Sequence, residues 1–251
     1  GLGSGLDALG FTVDFAPVLD VDAGPDRGIV GDRAFSGEPE AVARHGLAFA
    51  AGLLDSGICP CGKHFPGHGC TRKDSHDELP RVDLSAAEHE EEHLGPFLAA
   101  VDARLPMIMT AHVVYEWLDP ERPGTCSAAV VDGLLRGRLG YEGAVVTDDL
   151  TMGAVAAVGG PAEVAVEAVA AGVDLVLVCH HEDLQEEVRA RIAEAAGRSP
   201  AFARRLGEAA SRSRELRERF VPSPASPDTL EAVLDAADPT ALAEEIGQRL
   251  G

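Results

Sequence analysis

A parallel α/β sheet, open or closed into a barrel, is the fold class this sequence predicts. Five short apolar runs each suit a strand buried on both faces, and each is followed by a longer segment with helical spacing. The polar residues that break this pattern gather at or just after the carboxyl ends of the runs, the edge where parallel α/β folds assemble their sites.

The runs are 11–19 (FTVDFAPVL), 58–65 (ICPCGKHF), 107–114 (MIMTAHVV), 144–149 (AVVTDD) and 174–179 (DLVLVC). Between them, 39–56 carries Val42, Leu47, Ala50, Leu53 and Leu54 on one helical face. Segment 85–105 opens with Ser85 three residues before Glu88, a capping box. Ser127 is placed to cap a helix through Leu139 that ends at Gly140, and 162–171 ends at Gly172. Beyond Cys179 the chain is charge-mixed and helical with no further clear strand. The domain reading is therefore a partial barrel over 1–182, a helical continuation packing on it over 183–220, a linker over 221–227 (VPSPASP), and short C-terminal helices over 228–251.

Composition excludes several function classes. The chain has 251 residues, 45% of them hydrophobic, which is enough for a buried core and too apolar for a disordered chain. No run of about 18 apolar residues occurs, so no membrane span is expected. The formal charge of −21 would repel phosphate backbones and anionic lipid surfaces. Gly1 leads into LGSGLD without a basic segment or an initiator Met, so no signal peptide is expected and the chain is expected to begin inside a longer gene product. The five cysteines lack zinc-ribbon spacing and read as buried or incidental thiols, with Cys59 and Cys61 on one strand face; that suits a reducing, cytoplasmic compartment.

The densest polar stretch is 62–80, GKHFPGHGCTRKDSHDELP. Lys63 and His64 end the second run, and Pro66-Gly67-His68-Gly69 forces a tight turn. Asp74 and His76, two apart on the following loop, can form a dyad in which the carboxylate orients the imidazole for general acid/base work. The plainer reading is a loop shaped by Asp74 and Ser75 with His76 in solvent. At the fourth strand end, Asp148 suits a nucleophile or a metal ligand, with Asp149 capping the next helix. His68 reads as a loop brace, and His112 as lining the site floor or making a buried hydrogen bond. Asp14 and Asp20 read as structural, and His45, His89 and His93 as solvated helix residues. Trp117, the only tryptophan, reads as packing or as a sugar-stacking platform.

KHFPGHG with DSH downstream, then MTAHVVY and VVTDDLTMGA, resembles family 3 glycoside hydrolases of the β-N-acetylglucosaminidase branch. DFAPVLDVD and GDRAFSGEP are similar to that family too, so the likeness runs from about Gly1 to Cys179 in one order. The resemblance implies a TIM-type (β/α)8 barrel and a retaining hydrolase that removes terminal β-linked N-acetylglucosamine, with no cofactor and no metal. It makes Asp148 the nucleophile that forms a covalent glycosyl-enzyme, His76 the acid/base, and Asp74 its partner. Arg33, Lys63 and His64 match the family's sugar-binding positions. The implied partner is a small N-acetylglucosamine-containing glycan or muropeptide, with cell-wall recycling as the setting; no nucleic acid or membrane partner is expected, and the oligomeric state is left open.

Three other readings stand beside it. One is a zinc-dependent amidohydrolase-type barrel using His64, His68, His76, His112, Asp74 and Asp148. Another is a non-catalytic sugar-binding protein. The third is a phosphorylase of the same family, with phosphate replacing water as acceptor. A complete (β/α)8 barrel takes about 250 residues, yet only five strand-to-helix units are visible. The chain is therefore expected to lack roughly the first three strands, leaving the sugar site incomplete and the piece by itself inactive or poorly stable.

Overall fold

The structure, a computed structural model, describes residues 2–24, 30–71, 75, 79–236, 240, 244, 245 and 248. Its strands in chain order are β1 (Val13–Asp14), β2 (Cys59–Phe65), β3 (Arg81–Val82), β4 (Met107–Thr110), β5 (Val114–Tyr115), β6 (Asp119–Pro123), β7 (Ala144–Asp149) and β8 (Leu175–Leu177). Five of them form one curled parallel sheet in the order β1-β2-β4-β7-β8, the half-barrel that the alternation of apolar runs and helices predicts. Cys61 pairs with Met107, and Ile108 with Val145, so each strand of this sheet adds beside the one before it.

Helices α1 (Leu2–Ala8) and α2 (Pro39–Asp55) precede β2. Helices α3 (Ala86–His89) and α4 (Gly95–Asp102), joined through a π-turn at Glu90–Leu94, precede β4. The Ser85–Glu88 capping box forms: Glu88 N–H donates to Ser85 Oγ at 3.3 Å and Ser85 N–H to Glu88 Oε2 at 2.8 Å. A second π-helical stretch, Ala129–Arg138, leads into β7. Helices α5 (Gly153–Ala156) and α6 (Pro161–Ala171) lie between β7 and β8, and α7 (Glu182–Arg198), α8 (Pro200–Arg219) and α9 (Pro227–Ala236) follow.

Strand alternation sends Ile108 and Val145 to the helical side, where they bury with Phe97, Leu135 and Val131. Their neighbours Cys59, Cys61, Met107, Met109 and Val146 occupy the other face, which Phe220 and Leu216 from the end of α8 help to cover. Each such side chain contributes about 1.5–3 kcal/mol by leaving water. At the amino ends of the strands, the Asp174 carboxylate accepts hydrogen bonds from Arg136 (2.6 Å), Arg205 (2.5 Å), Arg212 (3.3 Å) and the Val145 N–H (3.0 Å), tying α8 and the 129–138 helix to the sheet.

Some boundaries differ from the sequence reading. Run 11–19 is a regular strand only at Val13–Asp14 with a Val18–Lys63 bridge; Cys61 and Lys63 N–H still donate to the Ala16 and Pro17 carbonyls, but Pro17 offers the ladder no N–H in return. Run 107–114 breaks after Thr110, its last residue starting β5, which joins β3 and β6 in a small second sheet. Segment β6, DPERP, carries two prolines and has no strand signature in sequence.

Candidate active site

The carboxyl end of the sheet is organised around one buried carboxylate. Asp20 follows β1 and has no exposed surface. Its Oδ2 accepts from His64 Nδ1 at 2.7 Å, and its Oδ1 accepts from the backbone N–H of His64 at 3.2 Å and of His68 at 2.7 Å. Burial alone would raise the Asp20 pKa, but His64, His68 and the backbone donor outweigh it and bring it down to about 2. An ionised acceptor fixes the proton on His64 Nδ1 and turns Nε2 toward Asp148, 3.7 Å from its Oδ2.

Asp148 stands near the end of β7 with its side chain 20% exposed, open enough to meet a ligand. Its Oδ1 accepts from the Asp149 N–H at 2.8 Å, which leaves Oδ2 facing His64. Asp149 is committed to structure: its carboxylate accepts from Thr151 N–H (3.1 Å), Thr151 Oγ1 (2.6 Å) and Cys179 N–H (3.2 Å). These bonds lower its pKa against the burial that would raise it. It braces the turn and does not cap α5, whose N-cap is Met152.

The loop after β2 is held from below and from the side. The Lys63–His64 and Phe65–Pro66 peptide bonds are cis. Gly67 adopts φ +128°, and a Cβ on Gly69 would overlap the Val21 carbonyl, so the PGHG turn needs glycine at both places. His89 Nε2–H donates to the Pro66 carbonyl at 3.0 Å, and the Tyr115 hydroxyl to the Gly67 carbonyl at 3.0 Å. His68 braces the loop as read from sequence, with Nδ1 bonded to Thr71 Oγ1 at 2.7 Å and Nε2 to Ser75 Oγ at 3.0 Å. Burial drops its pKa to about 4, so it is neutral at pH 7. Ser75 in turn accepts the Ala154 N–H at 3.1 Å, bridging this loop to the turn after Asp148.

His112 sits beneath, its Nδ1 bonded to Thr125 Oγ1 at 2.8 Å and its Nε2–H donating to the Asp149 carbonyl at 3.2 Å. Burial lowers its pKa against the pull of Asp148. With the rings of His64, His68 and His112 engaged in this way, no group of three His, Cys, Asp or Glu side chains that could hold a metal occurs among the described residues.

Of the residues singled out in sequence, His64 and Asp148 come together and half-buried Lys63 precedes His64 on the same strand. Arg33 is exposed on the single turn Gly31–Arg33 and makes no ion pair among the described residues. Asp74 and His76 lie outside the described residues. His89 and His93 are corrections: both are buried, not solvated, because their helix lays that face under the PGHG loop. Trp117 packs against the main core with its ring 5.5 Å from that of His89, which makes it a packing residue. The central role of Asp20 was missed; the available signal was a carboxylate ending an apolar run, PVLDVD.

Over residues 2–206 the chain matches the Glycosyl hydrolase family 3 N terminal domain. It is 46% identical over 182 residues to a beta-hexosaminidase of Alkalilimnicola ehrlichii, covering 72% of this chain and 52% of that relative. Among solved structures it resembles a family 3 beta-N-acetylglucosaminidase from Paenibacillus sp. str. FPU-7, with TM-score 0.83 and 37% identity over 92% of this chain and 47% of that one. A Beta-N-acetylhexosaminidase from Beutenbergia cavernae gives TM-score 0.79 and 36% identity over 84% of this chain and 64% of that one. The chain spans about half the length of the first curated relatives it matches. A match reaching from α1 into α8 takes in every strand described, and the chain belongs to glycosyl hydrolase family 3.

Proposed function

We propose that this chain is the nucleophile-bearing part of a retaining β-N-acetylglucosaminidase. The observation that carries the reading is the partly exposed Asp148 carboxylate, with Oδ1 held by a backbone N–H and Oδ2 3.7 Å from an anchored His64. A substrate hydroxyl can sit within about 2.8 Å of both atoms, beside a carboxylate placed to attack the anomeric carbon. In this reading Asp148 displaces the leaving group and holds the sugar as a covalent ester, which water then cleaves. His76, oriented by Asp74, protonates the departing oxygen and afterwards takes the proton from that water. The tie of Ser75 to both His68 and Ala154 supports a role at this site for its chain neighbours. Lys63, His64 and Arg33 hold sugar hydroxyls. The names of the relatives support a hexosaminide substrate, and we assign N-acetylglucosamine-containing cell-wall fragments, recycled in the cytoplasm, as its source.

Hydrolysis of an aryl β-N-acetylglucosaminide by the protein and its Asp148→Asn variant tests this. The variant should lose on the order of 10³-fold or more in kcat, and wild-type-like turnover would overturn the assignment. Adding phosphate separates water from phosphate as acceptor: an unchanged product supports the hydrolase, and a sugar 1-phosphate the phosphorylase.

A further inference from the structure

Asp20 is tied to three donors at once, and the way its two oxygens divide them has a chemical consequence. Oδ1 takes the backbone N–H groups of His64 and His68, which cannot change their protonation or turn away without opening the loop. Oδ2 takes only the ring nitrogen of His64. No substrate can reach Asp20, because the residue is wholly buried. Anything it does for the reaction passes through His64, whose Nε2 is the ring atom turned toward Asp148.

We infer that Asp20 is a positioning residue for the glycosidase reaction: it locks His64 with its proton on Nδ1, so that the state of Nε2 facing the sugar and Asp148 is set from behind the loop. His64 Nε2 then meets a substrate hydroxyl either as an acceptor or, in the doubly protonated ring, as a charge-assisted donor. It never meets the hydroxyl as the lone proton carrier of a neutral ring with a bare Nδ1. The same carboxylate sets the height of the PGHG turn through His68, so ring chemistry and loop position are fixed by one group.

The substitution Asp20→Asn tests this specifically. The amide keeps the shape, and its one remaining oxygen stays on the two backbone N–H groups. The amide NH₂ must then face His64 Nδ1, which can accept from it only when unprotonated, and the neutral ring carries its proton on Nε2 instead. Long-range 15N NMR of the full chain, with the His64 signal identified by its loss in His64→Gln, should show Nδ1 protonated in the wild type. In Asp20→Asn it should show the opposite tautomer. Activity on the aryl glycoside should fall by on the order of 10²-fold or more in kcat/KM, as when a tautomer-fixing carboxylate is replaced in other enzymes.

A double-mutant cycle separates positioning from mere support of the loop. If Asp20 acts through His64, Asp20→Asn costs nothing further once His64 is Gln. An equal loss in both backgrounds, or an unprotonated Nδ1 in the wild type, would overturn the inference. The activity arm rests on the glycosidase reading, but the NMR arm does not. A wild-type chain that turns over no hexosaminide would remove that reading and leave the tautomer to decide this one.

Discussion

Asp20 and Asp174 are both buried aspartates, at opposite ends of the same sheet, and they serve opposite purposes. Asp174 is surrounded by three arginines and a backbone N–H, all of them fixed donors with no alternative protonation state. Asp20 faces two backbone N–H groups and an imidazole, the one partner whose proton can sit on either of two ring nitrogens. A carboxylate held by guanidinium groups and a backbone N–H is a latch. One that holds a histidine can control chemistry. The amino end of this sheet is tied by fixed donors, and the carboxyl end by a carboxylate that holds a histidine ring.

The largest stability effect expected from breaking this contrast is at the latch. Asp174→Ala strands three partly buried arginines and should destabilise by about 3–5 kcal/mol, read as a large fall in the denaturant midpoint. Asp20→Ala should lose less stability, about 1–3 kcal/mol for buried donors left without an acceptor, yet abolish nearly all activity. An Asp174→Ala protein that kept its stability, or an Asp20→Ala protein that kept its activity, would erase the distinction.

Acid sharpens the contrast. The folded-state pKa of Asp20, about 2, lies below the 3.8 of a free aspartate, so its contribution is fully present above about pH 4 and is lost as pH falls through 2. His68 and His89 are held by burial at about 4, against 6.5 when free. The unfolded chain therefore binds their protons first, and stability should decline from about pH 6.5 downward until pH 4. Urea midpoints measured across pH 3–8 should show this slope, and His89→Gln should flatten it. The smallest effect is expected on the far surface: Arg189→Ala removes an exposed i,i+3 pair with Glu186 and should leave Tm unchanged within error.

How much could be read in advance differed between these regions for physical reasons. Strand 144–149 was legible residue for residue, because its buried start is an apolar run and the polar TDD that ends it marks the carboxyl edge of the sheet. The Ser85 cap was legible because it is a local pattern satisfied within four residues. His89 and His93 were misread because EHEEEH looks like a solvated face, and only the loop lying over that helix buries the two rings. Asp20 read as structural without a named partner because its partners are 44 and 48 residues away. The structural role read for Asp149 was half legible: its carboxylate is engaged locally, but by Thr151 and the Cys179 N–H and not by a helix N-terminus.

The sequence by itself determined the class of fold, the order of its strands, and the edge at which His64, Asp148 and their neighbours collect. Those follow from periodicity and strand polarity, which are properties of the chain read in order. Which aspartate is committed to bracing a turn, which histidines are neutral, and which carboxylate holds the His64 ring were decided by the tertiary structure alone. Protonation and reach depend on desolvation and on partners tens of residues distant, and neither exists until the strands lie side by side.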